Sequence, residues 1–353
     1  MARDRTGTGG IDRRLALAGL AATALPLPRA AARAETAPPP SPAMQAVLDY
    51  AQSQRTTGFR VIRDRRLLAA RDWPAPADAR PAFRAMARYG TDAEGGLLED
   101  VASQQKSFVA VLAAIAADKG LLDVTRPVAA YLGAGWCKAA PDQEAKIRVL
   151  DVLTMSSGLK EDFTYAAPPG GVFLYNTPVY AVTKPVLAAA ARQPLEALTR
   201  DWLTAPLGMA DTAWRQRPAA MAEVGNPTGL VTGPRDVARF GQMVLDAGRS
   251  PDGRRVVSEA GLKALFVRSA TNPAYGRLWW LNGSAYAIRP LARRTEGPMI
   301  PAAPADLVAA EGALDRKLYV VPSRKLVVVR LGDAAADRDF EQQLWLRLAA
   351  ALA

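Results

Sequence analysis

The chain has 353 residues, a formal net charge of +11, one cysteine and no histidine. Without histidine, neither a Ser-His-Asp triad nor a histidine-ligated zinc site can form, and one cysteine cannot build a thiolate cluster. No Lys/Arg cluster with interleaved aromatic residues marks a nucleic-acid surface, so we expect no nucleic-acid partner. We also expect neither a metal nor a cofactor. Covalent acyl chemistry in this chain would need Lys, Tyr or a carboxylate as its base.

The N-terminus has the pattern of an export signal. Residues 1–34 combine a charged start, an apolar core at residues 15–27 and small residues at the end. The core is too short to span a bilayer, and Arg13 and Arg14 before it suggest the twin-arginine route. Residues 35–42 then have the composition of a linker. We expect a periplasmic or secreted protein that carries a net charge of +7 after processing and does not insert stably into a membrane.

Both ends of the remaining chain predict strands next to a helix. Apolar spacing and β-branched runs predict a helix at 43–55, strands at 58–62, 66–70, 318–321 and 326–331, and a helix at 337–352. We therefore expect an α+β fold, an α/β sandwich in which helices flank an antiparallel sheet built from both chain ends. Residues 43–120 and 260–353 form this predicted sheet domain, and residues 121–259 form an inserted, mostly helical region.

A Ser-x-x-Lys motif begins the most apolar predicted helix. Ser103 and Lys106 lie three residues apart, so a helix places them on one face. Residues 107–117 carry no charge, which predicts a helix buried on every side. Burial and the positive end of the helix dipole both favour the neutral lysine. The motif therefore predicts Ser103 as a nucleophile and Lys106 as its base.

The spacing alone leaves open an N-cap serine beside a solvated lysine. The same spacing also recurs at Ser157 and Lys160. There Gly158 follows at the end of a predicted helix at 147–156, so the hydroxyl would face the negative end of the dipole. We therefore favour the first motif over the second.

The chain also resembles a known family in collinear order over most of its length. The segments that carry the resemblance are residues 102–108, 117–123, 127–132, 149–159, 169–170, 173–180, 206–209, 234–241, 275–280 and 318–332. They are similar to the serine β-lactamase and penicillin-recognising superfamily, and most of all to the class C β-lactamase-related hydrolases and esterases. The resemblance implies a β-lactamase/transpeptidase-like fold.

The family's second motif, Tyr-x-Asn, corresponds to Tyr175, Asn176 and Thr177. The resemblance implies that Tyr175 forms the general base together with the lysine and later protonates the leaving group. Thr177 stands where the family has Asn, so either its hydroxyl or the amide of Asn176 is the expected substrate contact. The alternative is that Tyr175 is a core aromatic residue.

The family's third motif falls on Ala310, Glu311 and Gly312. The glycine permits a close backbone approach to substrate. The resemblance implies that the N–H groups of Ala313 and Ser103 form the oxyanion hole. The resemblance implies a cation in this strand motif, and Ala310 and Glu311 occupy its place. We hypothesise that Glu311 repels substrate carboxylates and favours neutral or cationic esters and amides over penicillins and cephalosporins. The alternative is that Glu311 pairs with an arginine.

These features predict an exported serine hydrolase that cleaves small ester, amide or peptide-like substrates through a Ser103 acyl-enzyme. The competing interpretation is a catalytically weak or inactive penicillin-binding-like protein that binds peptidoglycan or a related ligand. A third is a cell-wall interaction domain in which Ser103 only caps a helix.

The export signal gives the first testable prediction. We expect N-terminal sequencing of the protein from fractionated cells to begin near Glu35 and to find it outside the cytoplasm. Recovery of the mature protein with residues 15–27 intact would contradict this prediction.

Overall fold

The computed structural model describes residues 37–353. The predicted export signal and the first two residues of the predicted linker lie outside the described residues. The described strands are β1 (Thr56–Arg63), β2 (Arg66–Asp72), β3 (Glu99–Asp100), β4 (Ala213–Gln216), β5 (Thr228–Thr232), β6 (Trp280–Leu281), β7 (Tyr286–Arg289), β8 (Arg293–Glu296), β9 (Val308–Gly312), β10 (Arg316–Val321) and β11 (Leu326–Gly332).

The largest sheet is antiparallel and joins the two ends of the chain, as the sequence predicts. Its strand order is β2-β1-β11-β10-β9-β6, so β1 from the beginning pairs with β11 from the end. Asp64 and Arg65 form the turn between β1 and β2, and both have positive φ, as a type I′ hairpin turn requires. Smaller sheets have the orders β3-β5-β4 and β7-β8.

Helices cover the sheet and fill the middle of the chain. They are α1 (Pro42–Ser53), α2 (Pro81–Met86), α3 (Gln105–Asp118), α4 (Ala129–Leu132), α5 (Pro141–Glu144), α6 (Val149–Leu153), α7 (Thr177–Ala181), α8 (Thr183–Ala191), α9 (Leu195–Thr199), α10 (Ala205–Leu207), α11 (Ala219–Ala222), α12 (Pro234–Leu245), α13 (Glu259–Leu265) and α14 (Phe340–Ala351).

Two adjacent residues of β10 show how the helices flank the sheet. Leu318 packs on α12, where a Cβ atom at Gly241 would lie only 2.6 Å from its Cδ1 atom. Tyr319 packs on α14, with its ring centroid 5.4 Å from that of Trp345. Because successive side chains of a strand point to opposite faces, α12 and α14 cover opposite faces of the sheet. The α+β class predicted from the sequence is confirmed.

Helix α3 is buried along almost its whole length. Every residue from 105 to 116 is buried, as the uncharged pattern predicts. Phe108 stacks on Phe240 of α12 with a centroid separation of 3.8 Å, and α3 also contacts α8, α13 and β9. The helix thus packs against both the sheet side and the helical region.

The largest differences from the predicted helix boundaries are three residues and occur in two helices. The helix predicted at 147–156 ends at Leu153, because Met155 adopts a left-handed conformation with φ +57°. The last helix begins at Phe340, three residues later than predicted. The carboxylate of Asp337 accepts hydrogen bonds from Tyr50 Oη at 2.9 Å and from the Asp339 N–H at 2.8 Å, which forms a turn ahead of the helix.

The predicted division into a sheet domain and a helical region stays a prediction. Helix α12 lies within residues 121–259 of the predicted helical region, yet it packs directly on β10 and β11. None of the helices within residues 37–353 has both the length and the apolar composition needed to cross a membrane.

Candidate active site

Ser103 lies on a tight turn at the head of α3. Ala102, Ser103 and Gln104 form a short 3-10 helix, and α3 begins at the next residue. Ala102 has φ +49°, a left-handed conformation that costs a residue with a side chain roughly 1–2 kcal/mol. Ser103 is half-buried while its neighbours on both sides are buried. Ser103 is therefore the one partly exposed residue of the segment from 99 to 116.

The ammonium group of Lys106 points at this hydroxyl. Lys106 Nζ lies 2.9 Å from Ser103 Oγ and 3.3 Å from Thr177 Oγ1. It also lies 4.6 Å from the ring centroid of Tyr180 and 4.9 Å from that of Tyr175. Burial, together with the positive charge of Arg217, lowers the pKa of Lys106 to about 7. A large fraction of this lysine is therefore neutral near pH 7.

This geometry differs from that of a capping serine beside a solvated lysine. Ser103 makes no capping hydrogen bond to α3, and Lys106 is 2 % exposed. A buried ammonium without an anionic partner is unfavourable, so the surroundings promote release of its proton. The neutral amine has a lone pair that can accept the Ser103 proton.

Tyr175 lies on the loop before α7 and faces the same two residues. Its ring stacks on Trp280 of β6, with centroids 5.9 Å apart and planes 18° from parallel. Burial raises the pKa of Tyr175 to about 12, although the nearby Ser103 hydroxyl favours the ionised phenol. Tyr175 therefore keeps its proton at neutral pH and can donate it.

Asn176 and Thr177 have different surroundings. Asn176 is buried and caps α7: its Oδ1 accepts the Val179 N–H at 3.0 Å, and its Nδ2 donates to the Leu159 carbonyl at 2.9 Å. Both ends of its amide are therefore engaged within the protein. Thr177 instead directs its hydroxyl at Lys106. Of the two expected substrate contacts, only Thr177 lies against the lysine.

The third motif lies beside the nucleophile. A Cβ atom on Gly312 would lie 2.3 Å from the Val101 carbonyl oxygen, so glycine is required where β9 meets this turn. Gln104 Nε2 donates to the Ala310 carbonyl at 3.4 Å and links the same two segments. Ala313 follows in the exposed turn to β10, and no acceptor within residues 37–353 takes up its N–H.

Glu311 is not the uncompensated anion of the sequence hypothesis. It pairs with Arg289 of β7 at 3.0 Å and with Lys317 of β10 at 3.2 Å. Burial alone would raise its pKa, but the two cations outweigh burial and lower the pKa of Glu311 to about 2. Glu341 also contacts both cations, at 3.7 and 3.0 Å, so two acids and two bases form one cluster. Glu311 therefore gives no reason to expect repulsion of substrate carboxylates, because Arg289 and Lys317 neutralise its negative charge.

The sequence reasoning missed both cations. Lys317 lies directly opposite Glu311 in the β9–β10 ladder, a pairing that the register of the hairpin implies once the strands are known. Arg289 comes from a short strand that no strong pattern marks, and its guanidinium lies 4.6 Å from the ring centroid of Trp280. It thus reaches the aromatic ring on which Tyr175 stacks.

The second Ser-x-x-Lys lies in different surroundings. The hydroxyl of Ser157 accepts the Leu159 N–H at 3.2 Å, while Lys160 is exposed. Gly158 has φ +75°, and a Cβ atom there would lie 1.9 Å from the Ala167 carbonyl oxygen. This motif forms a turn, and its serine and lysine do not contact each other.

The described residues contain no cluster of Cys, Asp and Glu that could hold a metal ion. A cavity of about 370 Å³ lies at the start of α14 and is lined by residues that include Asp315, Asp337 and Glu341. None of Ser103, Lys106 and Tyr175 lines it. We therefore locate the candidate active site by its reactive groups and not by this cavity.

Comparisons with known proteins agree with the resemblance seen in the sequence. A solved β-lactamase/D-alanine carboxypeptidase from Pseudomonas syringae is 17% identical, with a TM-score of 0.63 over 88% of this chain and 99% of that chain. A β-lactamase from Mycobacterium bovis is 17% identical, with a TM-score of 0.62 over 87% of this chain and 100% of that chain. A family VIII carboxylesterase is 14% identical, with a TM-score of 0.62 over 89% of this chain and 97% of that chain.

At these identities the structural likeness shows the fold alone. No curated protein sequence is significantly similar to the chain. The family model described as Beta-lactamase, however, matches residues 53–352, which is most of the chain. The chain therefore belongs to the β-lactamase family, as its motifs predict.

Proposed function

We propose that this protein is a serine hydrolase that cleaves esters or amides through an acyl-enzyme on Ser103. The observation that carries the proposal is the 2.9 Å contact between Ser103 Oγ and a buried lysine amine. The lysine has a pKa of about 7, so near neutral pH it can accept the serine proton. An exported location remains part of the proposal and rests on residues 1–34.

The two proton carriers have different roles in this proposal. Lys106 takes the proton of Ser103 as Oγ attacks the substrate carbonyl, and the N–H groups of Ser103 and Ala313 stabilise the oxyanion. Tyr175 gives its proton to the leaving group and regains one from the Lys106 ammonium. Water then attacks the acyl-enzyme, loses a proton to the neutral Lys106, and releases the acid while Ser103 is reprotonated. This division follows from pKa values of about 7 and about 12 on the two groups.

The cluster around Glu311 bears on substrate class. Glu311 and Glu341 balance Arg289 and Lys317, so this edge of the site offers a substrate neither a strong attraction nor a strong repulsion. We therefore propose uncharged esters as the substrates with which to begin. Because Glu311 is paired, it gives no reason to expect a preference for cationic substrates.

The test of the nucleophile is covalent labelling. A fluorophosphonate should modify the peptide that contains Ser103. Ser103→Ala should abolish both labelling and turnover, because no other serine within residues 37–353 forms a hydrogen bond with Lys106. Ser157→Ala is the matched control, since it changes the serine of the second motif, and it should label like the wild type. Label on the Ser157 peptide, or on no peptide, would contradict the proposed function.

The leaving group tests the role of Tyr175. Tyr175→Phe should lower kcat/KM for an alkyl ester by roughly 10²–10⁴-fold, because an alkoxide needs a proton to depart. The loss should be much smaller for a p-nitrophenyl ester, whose leaving group departs without one. The acid limb of the pH profile should remain near pH 7, where Lys106 titrates.

Tyr131→Phe is the control for this variant, because among residues 37–353 the Tyr131 hydroxyl forms hydrogen bonds only with the backbone of Asp123, on an exposed loop. It should leave both activities unchanged. Equal losses for the two esters in Tyr175→Phe would mean that Tyr175 supports the fold of the site and donates no proton.

A further inference from the structure

A buried ion pair lies directly behind the nucleophile turn. Asp100, the last residue of β3, is fully buried. Its Oδ2 accepts Arg217 Nε at 2.7 Å, and its Oδ1 accepts Arg217 Nη2 at 2.8 Å, so the pair is bidentate. Arg217 follows β4, more than a hundred residues later in the chain. The pair thus joins the segment before Ser103 to the inserted region.

The same carboxylate holds the backbone of the turn. Asp100 Oδ1 also accepts the N–H of Ala102 at 2.9 Å. Ala102 is the residue with positive φ that directs the chain into Ser103. A left-handed alanine persists only where its surroundings fix it, and this hydrogen bond fixes one of its two peptide groups. The direction of the Ser103 side chain therefore depends on Asp100.

Strand β5 leaves space for the Asp100–Arg217 pair at Gly229. A Cβ atom on Gly229 of β5 would lie 2.0 Å from Asp100 Oδ2 and 2.8 Å from Arg217 Nε. Arg217 Nη1 donates to the Asn226 carbonyl at 3.1 Å, and the Asn226 side chain accepts Lys184 Nζ at 2.6 Å. The arginine is therefore held on both sides and has little freedom to leave the carboxylate.

The pair also contributes to the field at Lys106. Tyr175 and Tyr180 face Lys106 directly, and Lys184 Nζ also lies 5.8 Å from the ring centroid of Tyr180. From β7 and β9, Arg289 and Glu311 act on Tyr175. Burial is the larger cause of the lowered pKa of Lys106, and the positive charge of Arg217 lowers that pKa further.

We propose that Asp100 and Arg217 are positioning residues for the acylation step, with Asp100 fixing the turn that aims Ser103 and Arg217 holding Asp100 and favouring the neutral Lys106 amine. This inference rests on the proposed function. It adds two residues that contact neither the substrate nor the reacting atoms.

The test combines the labelling rate with the pH profile. In Asp100→Asn the amide oxygen can still accept the Ala102 N–H, but the negative charge is gone, so we expect the acid limb of kcat/KM to shift to lower pH. In Arg217→Met the positive charge is gone, so the limb should shift to higher pH. Both variants break the bidentate contact that holds the Asp100 side chain against Arg217. Both should therefore label with fluorophosphonate roughly 10–100-fold more slowly at the pH optimum, because the turn at Ala102 is held less firmly.

Two further variants keep the test decisive. Arg217→Lys retains the charge but not the bidentate contact, so it should label slowly with an unshifted acid limb. If Arg217→Met does not fold, the labelling rate of Arg217→Lys tests the positioning role and the acid limb of Asp100→Asn tests the charge. Arg60→Met removes the arginine of another bidentate pair, with Asp72 in the β1–β2 hairpin, and should match the wild type in both readouts.

The possible results separate the two claims. Opposite shifts of the acid limb in Asp100→Asn and Arg217→Met, with slowed labelling, would support the inference. Wild-type labelling rates and an unmoved limb in both folded variants, or shifts in the same direction, would overturn it. Failure of the wild-type protein to label at Ser103 would instead overturn the proposed function, and with it this inference.

Discussion

The burial of Lys106 without an anionic partner is the constraint on which the candidate site depends. Its contacts are the hydroxyls of Ser103 and Thr177 and two aromatic rings, and no carboxylate within residues 37–353 pairs with it. Each pKa unit corresponds to about 1.4 kcal/mol, so lowering its pKa from 10.5 to about 7 makes the charged lysine less favourable in the fold by ~5 kcal/mol.

The sign of the pH dependence follows from proton counts. Between pH 7 and pH 10.5 the unfolded chain keeps a proton on this lysine that the folded chain has released. The folded state therefore becomes more stable relative to the unfolded state as pH rises through this window. Below the window, the buried Lys106 destabilises the folded state by the full amount. The buried helix α3 and the stacked aromatic residues offset that cost. In the proposed mechanism, a chain without histidine thus obtains a base for neutral pH by removing a lysine from water.

The sequence was informative where the chemistry is local or periodic. Ser103 and Lys106 are one helical turn apart, and the uncharged residues that follow them predict a buried helix, so their contact could be predicted from spacing. The sheet could be predicted because the runs that form β1, β2, β10 and β11 alternate or are β-branched. Both inferences depend on residues close together in the chain or on a regular repeat.

The rest of the site depends on contacts that no local pattern encodes. The cations beside Glu311 come from β7 and β10, and whether an acid is paired is decided by the fold. Asn176 and Thr177 are neighbours, but only the structure shows which one caps α7 and which one faces the lysine. The left-handed conformation of Ala102 likewise depends on Asp100 and on a distant arginine.

The central claim is that Lys106 is neutral at a physiological pH, and the most direct measurement is its own titration. In protein labelled with ¹³C at lysine Cε, the resonance that disappears in Lys106→Met should titrate near pH 7 in the wild type. This assignment separates it from Lys184, whose pKa burial also lowers, to about 6. A Lys106 resonance that titrates close to the ordinary lysine value of about 10.4 would contradict the claim, because the amine could not then act as the base.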